Sequence, residues 1–134
     1  MPIINPPALA PPRGYSHGVV GRGRVLFVAG QVGWNGEGRL VGDGFAQQFE
    51  QALANVISVV AEAGGTPESI ARLTIYVVDK AEYVEAQRTI GAQYRARMGR
   101  HYPAMTLVEV KSLLEDGAKV EIEATALIAD ERQP

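Results

Sequence analysis

Cysteine is absent from this chain of 134 residues. That excludes disulfides, thiolate nucleophiles and cysteine-ligated metals. Histidine is scarce: His17 and His101 are the two in the sequence. They lie far apart and neither begins an HxH or HxxxH pattern, so no metal site is expected. Long apolar runs are missing as well. The stretch from Val25 to Gly30 falls far short of the roughly 20 residues that cross a bilayer, so no membrane partner is expected. The segment from Met1 to Pro12 holds prolines 2, 6, 7, 11 and 12 and no basic run, unlike a signal peptide. A cytoplasmic location is the expectation. There is no surplus of positive charge, with 13 basic against 15 acidic residues. Nothing global attracts a phosphate backbone, and no nucleic-acid partner is expected.

What is present is ordinary for a globular protein: 46% hydrophobic and 21% charged residues. That apolar content excludes disorder along the whole chain. The length fits one domain, 1–134, without repeats or linkers. Residues 1–14 read as an extended proline-rich arm and 130–134 as a loose tail. Strands are expected near 15–20, at 24–32 and, after a turn at 34–38, at 39–41. Asp43 is placed to cap a helix over about 44–63, whose Phe45, Phe49, Leu53, Val56, Ile57 and Val60 form one stripe. Gly64-Gly65 ends it, and Thr66-Pro67-Glu68 opens a single helical turn. A strand follows over 70–78. Asp79 then caps a second helix reaching about Met98, with Tyr83, Gln87, Ile90 and Tyr94 on a shared face. The last strands are expected at 104–110 and 118–129.

The order βββαβαββ describes an α+β domain of one mixed sheet with two helices. Two helices cover one face. The other carries part of the apolar content, and the chain holds nothing further to cover it. A large exposed apolar patch is unusual in a monomer, so copies of the chain are expected to meet through that face.

The glycines at 21 and 23 precede a strand, and those at 36 and 38 sit in a hairpin. Neither pair has the strand-to-helix context of a phosphate cradle. The basic cluster from Arg95 to His101 complements the end of a helix. More informative is Lys119-Val120-Glu121-Ile122-Glu123-Ala124. Glu121 and Glu123 are two apart, so both face away from the core and toward the expected interface. A carboxylate in a partly dry interface has a raised pKa and can hold and deprotonate a water. The plainer alternative is a solvated or ion-paired strand face.

Five segments occur in an order that resembles the RidA/YjgF family: Arg13-Gly14-Tyr15-Ser16, Val28-Ala29-Gly30-Gln31-Val32, Ala54-Asn55 before Ala63-Gly64-Gly65, Tyr102-Pro103-Ala104, and Val120-Glu121-Ile122-Glu123-Ala124. The resemblance runs from about Tyr15 to Leu127. It implies a chorismate-mutase-like fold, a homotrimer with clefts between subunits, and cofactor-independent hydrolysis of reactive enamines and imines. It also implies a site. Glu121 matches the glutamate that positions water, Tyr15 the tyrosine of the family's Gly-Pro-Tyr-Ser, and the Leu107 backbone N–H a substrate donor. Gln87 stands where an asparagine is usual. Met105 replaces the arginine of the family's Pro-Ala-Arg, which grips the substrate carboxylate. A planar guanidinium makes two charge-assisted bonds that a thioether cannot, so Met105 implies altered recognition and suits a larger or less acidic ligand. Arg13 or His17 is a candidate for a relocated cation. Three readings follow. One is a small-molecule hydrolase or deaminase; another is a trimer that binds a metabolite or a protein without turnover; the third, RNA cleavage or translation inhibition, fits the charge balance poorly.

Overall fold

The computed structural model describes residues 1–130, so most of the expected loose tail lies outside the described residues. In chain order the strands and helices are β1 (Ile3–Ile4), β2 (Gly18–Val19), β3 (Arg24–Val32), α1 (Phe45–Glu62), β4 (Ile70–Val77), α2 (Lys80–Glu85), α3 (Gln87–Met98), β5 (Ala104–Glu109) and β6 (Val120–Ile128). Four strands form a mixed sheet in the order β3-β6-β4-β5, with β4 and β5 parallel and the other pairs antiparallel. The fold class is α+β, as the sequence indicates.

Period-two patterning sets which way the sheet faces. In β6, Val120, Ile122, Ala124, Ala126 and Ile128 are buried, while Glu121, Glu123, Thr125 and Leu127 are half-buried on the other side. Leu26 and Val28 of β3 lie opposite Ala126 and Ala124. Helix α1 lays Phe45, Phe49, Leu53, Val56 and Val60 onto this face, and α3 adds Ile90, Tyr94 and Met98. Among the described residues, no helix covers the opposite face. No helix among the described residues is long and apolar enough to cross a membrane.

Several local expectations change. Asp43 does not cap α1: the extended Gly44 takes that position, and no side chain caps the end. The return strand at 39–41 shrinks to one bridge between Trp34 and Leu40. Asn35 holds that hairpin by accepting the N–H groups of Glu37 and Arg39 at 2.9 and 3.2 Å. The helix expected to Met98 is two helices, broken where Ala86 turns to ψ 2°. Asp79 does cap the first of them, accepting the Ala81 N–H at 2.9 Å. The proline-rich arm is extended but paired, since β1 runs antiparallel to β2.

Buried Gln48 explains how the turn before β6 is held. Its amide donates to the carbonyls of Gly42 and Gly117 at 2.8 and 3.1 Å, and its Oε1 accepts the Lys119 N–H at 2.8 Å. One side chain thereby ties α1 to the start of the strand that carries Glu121. Removing it would leave two carbonyls and one N–H without this partner at once.

Candidate functional site

Two concave regions flank the sheet and hold several of the residues singled out in the sequence. On the open face, β6 and β4 place Glu121 opposite Tyr76 and Glu123 opposite Thr74. The Tyr76 hydroxyl donates to Glu123 on the diagonal. That bond raises the pKa of the phenol, helped by desolvation and by the negative charges of Glu123 and Glu121. Glu123 is thus engaged, whereas no described residue forms a hydrogen bond or ion pair with the Glu121 carboxylate.

Glu121 lies against Gly30. A Cβ built on Gly30 would come 2.0 Å from Glu121 Oε2, so any side chain there would displace the carboxylate. The strand is irregular at this point: its register against β6 shifts between Val28 and Gln31, a β-bulge beside the acid. Gly30, Tyr76, Val110, Glu121 and Glu123, with the loop at 112–114, line a groove of about 370 Å³.

The second region lies on the helix side, where α2 and α3 meet β5. Arg13, Tyr83, Gln87, Ile90, Tyr94 and Met105 are among the residues around a cavity of about 340 Å³. The face read from the sequence, Tyr83, Gln87, Ile90 and Tyr94, is therefore a cavity wall as well as a core stripe. Tyr94 and Tyr102 stack with ring centroids 5.4 Å apart, and the Tyr94 hydroxyl donates to the His101 carbonyl at 2.7 Å. Burial, assisted by Tyr102, raises the Tyr94 pKa.

The remaining candidates lie elsewhere. Tyr15 is half-buried, with its ring edge-on to His17 at 5.5 Å, and lines neither region. His17 is committed to the arm: its Nε2 lies 2.8 Å from the Ala10 carbonyl, and its N–H donates to Asn5 Oδ1 at 2.8 Å. Leu107 packs against the core. Val110 N–H points at β4, donating to Val77 at 2.8 Å, so alternation turns the Leu107 N–H toward the outer edge of the sheet. Within one chain, Glu121 and Met105 stand on opposite faces. Among the described residues no three His, Asp or Glu side chains gather as a metal-holding group.

The sequence segments that looked related meet in pairs. Ser16 donates from Oγ to the Tyr102 carbonyl at 2.5 Å and from its N–H to the Pro103 carbonyl at 3.0 Å. Gly30 and Glu121 join the second segment to the fifth. Asn55 binds the carbonyls of Val32 and Trp34 at 3.2 and 2.9 Å, holding the end of β3. Residues 6–128 match the family described as Endoribonuclease L-PSP. The chain belongs to this family, that of the RidA and YjgF proteins.

Among the family's members, a RutC family protein of Aquifex aeolicus is 36% identical over 126 residues, covering 93% of this chain and 97% of that one. The 2-iminobutanoate/2-iminopropanoate deaminase of Escherichia coli K12 is 34% identical over 108 residues, 78% of this chain and 80% of its own. The solved structure of the Rid-family protein YyfB from Yersinia pestis superposes with a TM-score of 0.82 at 39% identity, covering 95% of this chain and 98% of that one.

In this RidA-family chain, sequence reasoning missed Arg95, which also lines the helix-side cavity. The sequence places it at the helix end, where it does sit. The signal that points to it is Gly91, four residues earlier on the same helical face.

Proposed function

We propose that the protein is a cofactor-independent hydrolase of small imines, enamines or related electrophiles, acting in the cytoplasm as a homotrimer with its site in a cleft between subunits. The observation that carries this reading is the Glu121 carboxylate seated over Gly30, unengaged by any described side chain, on a sheet face without a helix. Glu121 accepts a proton from water as the water oxygen adds to the C=N carbon. The proton passes to the nitrogen to give a carbinolamine; its hydroxyl proton then moves to the nitrogen as the C–N bond breaks and the C=O bond forms, releasing ammonia and a carbonyl product. Tyr15 and the Leu107 N–H hold the polar end of the substrate, with Gln87 beside them, and Met105 packs against its body.

A second copy is needed because Glu121 and Met105 face opposite ways in one chain. The open face also exposes Phe27 at 79% and Val25 at 53%, apolar surface suited to burial between copies. Kinship with imine deaminases supports the chemistry; Met105 supports altered recognition of the substrate's acidic end.

Ammonia release from freshly generated imines tests the reading. Release above the buffer rate is expected, falling about 10²- to 10⁴-fold in Glu121→Gln. No release from any imine, or an unchanged rate in the variant, would leave the alternative that Met105 favours, a trimer that binds metabolites or a protein without turnover. Met105→Arg is expected to gain hydrolysis of small 2-imino acids. RNA cleavage draws no support from a net charge of -2 and a groove holding two glutamates.

A further inference from the structure

Within one chain, the helix-side cavity has a charge imbalance. Two guanidinium groups, Arg13 and Arg95, line it, and no acidic side chain does. No described residue forms a salt bridge with either of them. The contrast with Arg97 is direct: two positions further along α3, its Nε lies 3.6 Å from Glu50.

Arg95 is also given room. A Cβ built on Gly91 would stand 3.3 Å from Arg95 Nη1, tighter than ordinary contact. Glycine inside a helix is less favourable than alanine. Here it lets the guanidinium fold back along the helix toward the cavity. The rest of the wall is aromatic and soft. Tyr102 stacks on Tyr94, whose hydroxyl is tied to a backbone carbonyl; Phe49, Ile75, Tyr83, Ile90 and Met105 add apolar lining, and Gln87 a neutral polar group. A volume of about 340 Å³ falls at the lower end of small-molecule sites, about 300–1,000 Å³.

We propose that this cavity binds a monocarboxylate with an aromatic or bulky apolar body, its carboxylate held by Arg95 together with Arg13 and its body packed against Met105 and the tyrosines. Arg95 is then a specificity-determining residue. It supplies from α3 the cation that position 105 lacks. This deepens the hydrolase reading and rests on it for one consequence, that the preferred substrates are 2-imino acids with large apolar side chains. His17, held by the arm, has no part.

Phenylacetate, which has no imine to hydrolyse, tests the inference by titration calorimetry on the intact protein. It is expected to bind at least about tenfold more tightly than acetate or phenylacetamide, which lack the ring and the charge respectively. Arg95→Gln is expected to weaken phenylacetate about ten- to hundredfold, the effect of losing a hydrogen bond to a charged group. Arg95→Lys keeps part of the affinity, because it keeps the charge without the fork. Arg100→Gln, also a cation removed near the end of α3, changes nothing. Equal binding of acid and amide, or wild-type affinity in a folded Arg95→Gln protein, overturns the inference. Phenylacetate binding through Arg95 without ammonia release from any imine would sink the hydrolase reading and leave the cavity's preference standing. Glu121-dependent hydrolysis without Arg95-dependent binding would do the reverse.

Discussion

On the helix-covered face of the sheet, Leu53, Val56, Ile70, Val77, Val120 and Ile122 are fully enclosed; on the other face, Phe27 is 79% exposed. Both faces belong to the same four strands, and both carry apolar residues. They differ in what the chain has available to cover them. Burying a phenylalanine gains about 1.5–3 kcal/mol, so the open face holds stabilisation that one copy leaves unused. It also holds the acid. The lesson is that the closed face is finished by its own chain, whereas the proposed chemistry belongs to the face that is not.

The largest test of that contrast truncates each face in turn. Leu53→Ala should lower stability by about 2–5 kcal/mol in urea unfolding, because it opens a cavity in a closed core. Phe27→Asp should leave the fold intact by circular dichroism and dissociate the assembly. If Phe27→Asp left the assembly whole, the open face would not be the interface. Next in size is Gly30→Ala, which puts a methyl group where the Glu121 carboxylate lies. Misplacement of a reacting group by about 1 Å can cost 10²-fold in rate, so ammonia release should fall by roughly that factor. Unchanged activity would detach Glu121 from the reaction.

The smallest effect separates two tyrosines. Tyr94 on the closed side and Tyr76 on the open side both have raised pKa values, the first chiefly through burial and the second through its bond to Glu123. A raised phenol favours the neutral form in the folded state. Its contribution is complete below the unfolded pKa, near 10.0, and is lost as pH climbs above it. Tyr94→Phe should flatten the decline in unfolding midpoint above about pH 10 while removing one hydrogen bond, worth about 1 kcal/mol. A decline as steep as wild type would assign it to other groups.

Much of the closed face was legible in the sequence, because burial writes a period. The stripe of α1 and the alternation in β6 identify which residues face the core. Local geometry was less legible. Asp43 has the right chemistry for a cap, but Gly44 starts the helix one residue later. The break at Ala86 has no glycine or proline to announce it. On the site, period two placed Glu121 and Glu123 together, yet nothing in the spacing could show that Glu123 is engaged by Tyr76 across a strand pair. The role of Gly30 as space for a carboxylate, and the meeting of Arg13 with Arg95 around one cavity, depend on tertiary contacts that no local pattern encodes.

Sedimentation equilibrium over a range of concentrations tests the central claim most directly, that the open face is finished by copies of the same chain. The account predicts a particle of three times the 14.4 kDa chain mass. A well-behaved particle of 14.4 kDa at every concentration would contradict it.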